Sequence, residues 1–124
     1  MNDETRTVLY VEDDADYRDM VQAILEAGGY RMIGAASAEA GIQAFKREAP
    51  DLVLVDLMME EIDAGTNLIM RLRAAGCEAP IYMLSSVGDD FSLTTNVREM
   101  GLAGVFQKPI EPDTLLAVLK ARLA

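Results

Sequence analysis

The sequence predicts an α/β domain built on a doubly wound, five-stranded parallel sheet of the form (βα)5. Three observations carry this. Short apolar runs alternate with segments of helical periodicity along the chain. Three of the five runs are nearly continuous in apolar character, as strands buried on both faces must be. At 124 residues the chain has room for one core of ordinary size, and five strands are too few for a closed eight-unit barrel.

Val8-Leu9-Tyr10-Val11 is the first strand. Tyr17, Met20, Val21, Ile24 and Leu25 then fall at i, i+3, i+4, i+7 and i+8, one helical stripe closed by Gly28-Gly29. Tyr30-Arg31-Met32-Ile33 gives the second strand. The helix behind it starts at an N-cap Ser37, buries Ala40, Ala44 and Phe45, and stops before Pro50. Leu52-Val53-Leu54-Val55 is the third strand, followed by a helix over about residues 65–75 with Leu68, Ile69 and Leu72 inward and Gly76 at its end. Ile81-Tyr82-Met83-Leu84 is the fourth, and a thin apolar stripe predicts a helix over roughly residues 91–100. Val105-Phe106 is the fifth strand. The last helix opens on Pro112 and buries Leu115, Leu116, Leu119 and Leu123. Met20, Met32, Met83 and Met100 fall at apolar-pattern positions and are expected in the core. Right-handed crossovers favour an open sheet, with the flavodoxin-like order 2-1-3-4-5. No repeat or linker interrupts the pattern, so residues 1–124 are expected to form one domain.

Composition narrows the function. Eleven Lys plus Arg against twenty-one Asp plus Glu leave a net charge of -10, which repels phosphate backbones and anionic lipid. Direct nucleic-acid or membrane-surface binding is therefore not expected. With no His, the chain can carry neither a Ser-His-Asp triad, nor a His-ligated metal, nor a phosphohistidine. Its one Cys, Cys77, allows no internal disulfide and suits a reducing compartment. No apolar run approaches the roughly 20 residues that span a bilayer, and residues 1–7 lack a signal-peptide pattern. The expected location is the cytoplasm. The charge is uneven: residues 1–62 balance to -9 and residues 63–124 to -1, so it is the acids of the first half that need explaining.

In an open parallel sheet, ligands bind beyond the carboxyl ends of the strands, at the switch point between the first and third. Glu12-Asp13-Asp14 follows the first strand, Asp56 the third, Ser85-Ser86 the fourth and Gln107-Lys108-Pro109 the fifth. In the order 2-1-3-4-5 these ends are neighbours. Carboxylates gathered within a few ångströms repel, so one protonates or a cation joins them. Oxygen-only ligands beside open water suit Mg²⁺. A bound Mg²⁺ could neutralise an incoming phosphoryl group and leave Asp56 ionised as its nucleophile, with Lys108 and the Ser85 hydroxyl on the remaining oxygens. Taken singly, Asp56 is also a plain strand-end residue; its coincidence with Asp13, Ser85 and Lys108 favours the functional reading. Asp14 reads better as the N-cap of the first helix.

Val11-Glu12-Asp13-Asp14, Leu54-Val55-Asp56-Leu57-Met58, Met83-Leu84-Ser85-Ser86 and Lys108-Pro109, in this order and spacing, resemble the signature of response-regulator receiver domains, which include the chemotaxis regulators. The resemblance covers essentially the whole chain. It implies that Asp56 is the phosphoacceptor, and that Asp13 ligates Mg²⁺ directly while Glu12 does so through water. The backbone carbonyl of Met58 would be a further metal ligand. Ser85 would turn toward the phosphoryl group, and Lys108 would be the family's lysine, joined to Pro109 by a cis peptide. It further implies phosphorylation by a sensor histidine kinase or histidine phosphotransfer protein, and output through a downstream protein or an attached output domain. No enzyme activity is expected beyond self-phosphorylation and autodephosphorylation.

Three places depart from the family pattern. Val105 stands where an aromatic switch residue is usual, three before the lysine, so coupling between Ser85 and the last strand's outer face is expected to be altered. Glu60 replaces the usual proline of the loop after Asp56, with Glu61 next to it, and Ala64 replaces a glycine. Met58 and Val87, which overlook the phosphoryl group in the family, are apolar and cannot orient a hydrolytic water, so a long-lived aspartyl phosphate is expected. The alternatives are a phosphate-independent receiver-like docking module, which Val105 would permit, and a Mg²⁺-dependent phosphohydrolase. The second fits poorly, because Asp56-Leu57-Met58 lacks a second acid.

Overall fold

The computed structural model describes residues 5–56, 64–85 and 102–123, with backbone alone at 64–67. Five parallel strands form one sheet in the order β2-β1-β3-β4-β5, as expected. They are β1 (Thr7–Val11), β2 (Arg31–Ala35), β3 (Leu52–Asp56), β4 (Ile81–Ser85) and β5 (Gly104–Gln107). Every residue of β1, β3 and β4 is buried, which is why their sequences are continuous rather than alternating. The edge strands differ: β5 buries only Phe106, and β2 buries only Ala35. It extends two residues beyond its predicted end, because Gly34 and Ala35 pair with Tyr10 and Val11.

Among the described residues, four helices cover the sheet: α1 (Ala15–Ala27), α2 (Ala38–Arg47), α3 (Ala64–Ala74) and α4 (Pro112–Leu123). Asp14 caps α1, its carboxylate accepting from the backbone N–H of Asp16 at 2.9 Å and Tyr17 at 3.2 Å. The Ser37 hydroxyl accepts from Ala40 N–H at 3.1 Å and starts α2 as predicted. Helices α1 and α3 end alike. Gly29 and Gly76 take positive φ (89° and 99°), and the N–H one residue later returns to the carbonyl five positions back, Tyr30 to Leu25 and Cys77 to Leu72. Only glycine adopts that turn without strain. The helix predicted near 91–100 lies outside the described residues.

The sheet separates two cores that share no residue. On one side Leu9, Val11, Val53, Val55, Ile81 and Met83 pack against Ile42 and Ala44 of α2 and Leu68, Ile69 and Leu72 of α3. On the other, Val8, Tyr10, Leu52, Leu54, Leu84 and Phe106 pack against Val21 and Leu25 of α1 and Leu115 and Leu119 of α4. Several core expectations need correcting. Met20 is 39% exposed rather than core, because it lies at the margin of an apolar arc wider than the face α1 buries. In α2 the buried residues are Gly41, Ile42 and Ala44, with Ala40 and Phe45 only half-buried at their flanks. Met32 is half-buried and Met83 fully buried; Met100 lies outside the described residues. Leu116 and Leu123 of α4 are likewise partly buried, against the second core.

Candidate functional site

Register brings the strand ends to one rim. Val11 lies opposite Val55, Asp56 opposite Leu84, and Ser85 opposite Gln107. The backbone N–H of Lys108 donates to the Ser85 carbonyl at 2.8 Å, and that of Glu12 to the Ala35 carbonyl at 2.9 Å, carrying the ladder just past the strands. Alternation then sorts the side chains. Asp56 follows the parity of Leu52 and Leu54, and Glu12 that of Val8 and Tyr10, both toward α1 and α4; Ser85 follows Ile81 and Met83 toward the opposite layer.

Lys108 is the centre of the cluster. Its Nζ lies 3.1 Å from Glu12 Oε1 and 3.2 Å from Asp56 Oδ1, so one amine bridges two acids. Both acids are almost fully buried, Glu12 at 1% exposure and Asp56 at 2%. Burial, followed by the hydrogen bond and negative charge of Glu12, pushes the Asp56 carboxyl up to about 7, against the opposing pull of Lys108. Burial alone would lower the Lys108 ammonium, but Asp56 and Glu12 together hold it above its ordinary value. Beneath Lys108 lies the Tyr17 ring, 4.5 Å from Nζ to its centroid, and the Tyr17 hydroxyl accepts from the backbone N–H of Ile110 at 2.9 Å.

Exposed Asp13 completes the acidic set: one carboxylate oxygen each from Glu12, Asp13 and Asp56 fall within 4.8 Å of one another. Three acids facing one lysine leave excess negative charge, and all the donors are oxygen. That set suits a hard divalent cation such as Mg²⁺ rather than a soft metal. Next to it the Ser85 hydroxyl is 1% exposed and its oxygen has no hydrogen-bond partner among the described residues. A buried hydroxyl left unpaired costs about 1–3 kcal/mol, so an incoming oxygen ligand would relieve it.

The structure therefore gathers five of the six predicted site residues, Glu12, Asp13, Asp56, Ser85 and Lys108, on one rim. The sixth, Met58, lies outside the described residues, as do Glu60, Glu61 and Val87. The Lys108-Pro109 peptide is cis, as the resemblance implies. Val105 is half-buried against the α2–α3 core, and Phe106 is buried against Tyr82 in the other, with ring centroids 5.3 Å apart. Cys77 is buried.

Sequence reasoning missed three residues that brace the rim. Tyr10 donates its hydroxyl to Glu12 Oε1 at 2.7 Å, Tyr17 supports Lys108, and Arg18 Nη1 donates to the Glu12 carbonyl at 2.6 Å. Burial first, then Glu12, hold the Tyr10 phenol far above its usual range, so it stays a donor. A signal was present for Tyr10: it stands two residues before Glu12, hence on the same face of the strand.

The family model for the response regulator receiver domain matches residues 8–120, and the chain belongs to that family. It is a receiver domain of the kind found in the response regulators of two-component systems. Among curated relatives, the probable transcriptional regulator ycf27 of Porphyridium aerugineum is 34% identical over 116 residues, covering 94% of this chain and 47% of that protein. The transcriptional regulatory protein CseB of Streptomyces coelicolor is 32% identical over 123 residues, covering 99% and 51%. The chain thus spans about half the length of these relatives. A CheY-like receiver domain protein from Methanospirillum hungatei superposes with a TM-score of 0.86 at 25% identity, covering 96% of this chain and 94% of that one. For a putative response regulator from Chloroflexus aurantiacus the TM-score is 0.85 at 32% identity, with 96% and 98% covered. Among the described residues, no helix is long and apolar enough to cross a membrane.

Proposed function

We propose that Asp56 is the phosphoacceptor of this domain and that its phosphorylation switches protein–protein contacts. The observation that carries the reading is the half-buried Lys108 ammonium shared between Glu12 and Asp56, 3.1 Å and 3.2 Å away, beside exposed Asp13. An Asp56 oxygen attacks the phosphorus of a phosphohistidine on a sensor kinase or phosphotransfer protein. As the O–P bond forms, the P–N bond breaks, its electron pair leaves on the histidine nitrogen, and that nitrogen is protonated from solvent. Lys108 holds a phosphoryl oxygen and balances the added charge, while the unpaired Ser85 hydroxyl turns to another. Asp13, Asp56 and the Met58 carbonyl, with Glu12 through water, are the residues that would hold Mg²⁺. Bound there, the ion supplies positive charge for the incoming phosphoryl group.

Output follows when these new contacts favour one of two conformations over the other. The likeness to transcriptional regulators supports a downstream protein or attached output domain as the listener. In this reading residues 1–124 act as one regulatory receiver domain, located in the cytoplasm with its kinase, and its chemistry is limited to gaining and losing its own phosphoryl group. The test is intact-protein mass after incubation with acetyl phosphate, with and without Mg²⁺, for the wild type and Asp56→Asn. One phosphoryl adduct that needs Mg²⁺ and disappears in the variant is expected. A folded wild type that takes no adduct would sink the reading in favour of a phosphate-independent docking module.

A further inference from the structure

Tyr10 is the one polar side chain in the middle of β1, and it is fully buried. A phenylalanine would fill the same space, in the core that also holds Leu54, Leu84 and Phe106, without a hydroxyl to satisfy. The hydroxyl instead donates to Glu12 Oε1 at 2.7 Å. That same oxygen takes the Lys108 Nζ at 3.1 Å, so both of its strong donors come from inside the protein. The other oxygen, Oε2, accepts the backbone N–H of Asp14 at a long 3.3 Å. Glu12 is thus held with Oε1 committed to two internal donors, while one of its carboxylate oxygens lies within 4.8 Å of one each from Asp13 and Asp56.

We propose that Tyr10 is a positioning residue for the cation site, its hydroxyl fixing the Glu12 carboxylate so that Oε2 faces the ion or its water. The inference rests on the receiver reading and deepens it. Groups that hydrogen-bond a metal's ligands fix their orientation, and losing one commonly weakens metal binding by roughly 10–100-fold.

Mg²⁺ titrated by calorimetry, and Mn²⁺ followed by electron paramagnetic resonance, test this on the wild type, Tyr10→Phe, Glu12→Gln and the double variant. Far-UV circular dichroism and thermal melting without metal confirm that each is folded. Tyr10→Phe is expected to bind both ions about tenfold more weakly. In the Glu12→Gln background, where the charge at position 12 is gone, the same change should shift affinity less than about twofold. Affinity of Tyr10→Phe within about twofold of the wild type would overturn the proposal. So would an equal loss in both backgrounds, which would mark a packing effect that bypasses Glu12. A folded wild type that binds neither ion would overturn the receiver reading itself, and this inference with it.

Discussion

At the scale of single residues, a half-buried amine and three carboxylates share a rim too crowded for all the acids to ionise comfortably. Asp56 bears most of that conflict, its carboxyl raised to about 7 from an ordinary 3.8. A raised carboxyl binds its proton more tightly in the folded chain than in the unfolded one. It therefore adds stability that is complete below about pH 4 and is lost as the pH rises through about 7. In divalent-free buffer, urea midpoints of the wild type should fall across this window relative to those of Asp56→Asn. Parallel curves for the two proteins would refute the assignment. Asp13, Asp56, Ser85 and Lys108 were legible in the sequence because each follows an apolar run, and strand ends converge in a parallel sheet. Tyr10 and Tyr17 were not, because an aromatic inside an apolar pattern reads as core. Tyr10 is core in fact and Tyr17 packs half-buried against that core; only their hydroxyls, and the face that Tyr17 turns to Lys108, serve the site.

Among the elements, α1 is tied to the segment after β5 by a contact that periodicity could not reveal. The Tyr17 hydroxyl accepts the Ile110 N–H across 93 positions of sequence. Tyr17→Phe keeps the ring under Lys108 and removes the acceptor, and is expected to cost about 1 kcal/mol in denaturant unfolding. An unchanged midpoint would mean that water replaces the bond at no net cost. Helix limits were read closely where glycine forced the end, as at Gly29 and Gly76, and strands where both faces are buried. Phase was misread in one helix. In α2 the small residues Ala40, Gly41 and Ala44 left the inward direction ambiguous, and Ile42 settled it.

For the whole molecule, the fully buried strands act as a partition between two cores with no residue in common. Substitutions on opposite sides should therefore be independent. Ile69→Val beneath α3 and Ile110→Val beside α4 should each cost about 0.5–1.5 kcal/mol. Together they should sum to within about 0.5 kcal/mol. A larger departure, read from urea titrations of the singles and the double, would show that the sheet transmits strain from one core to the other.

Parity along the strands gives the rim a mechanical meaning. Glu12, Asp56 and Lys108 belong to the layer of α1 and α4, whereas Ser85 belongs to the layer of α2 and α3. A group gripped by Lys108 and Ser85 at once would pass through the edge of the partition like a rivet through two plates. Drawing that rivet tight pulls on both plates together, although their own side chains never meet.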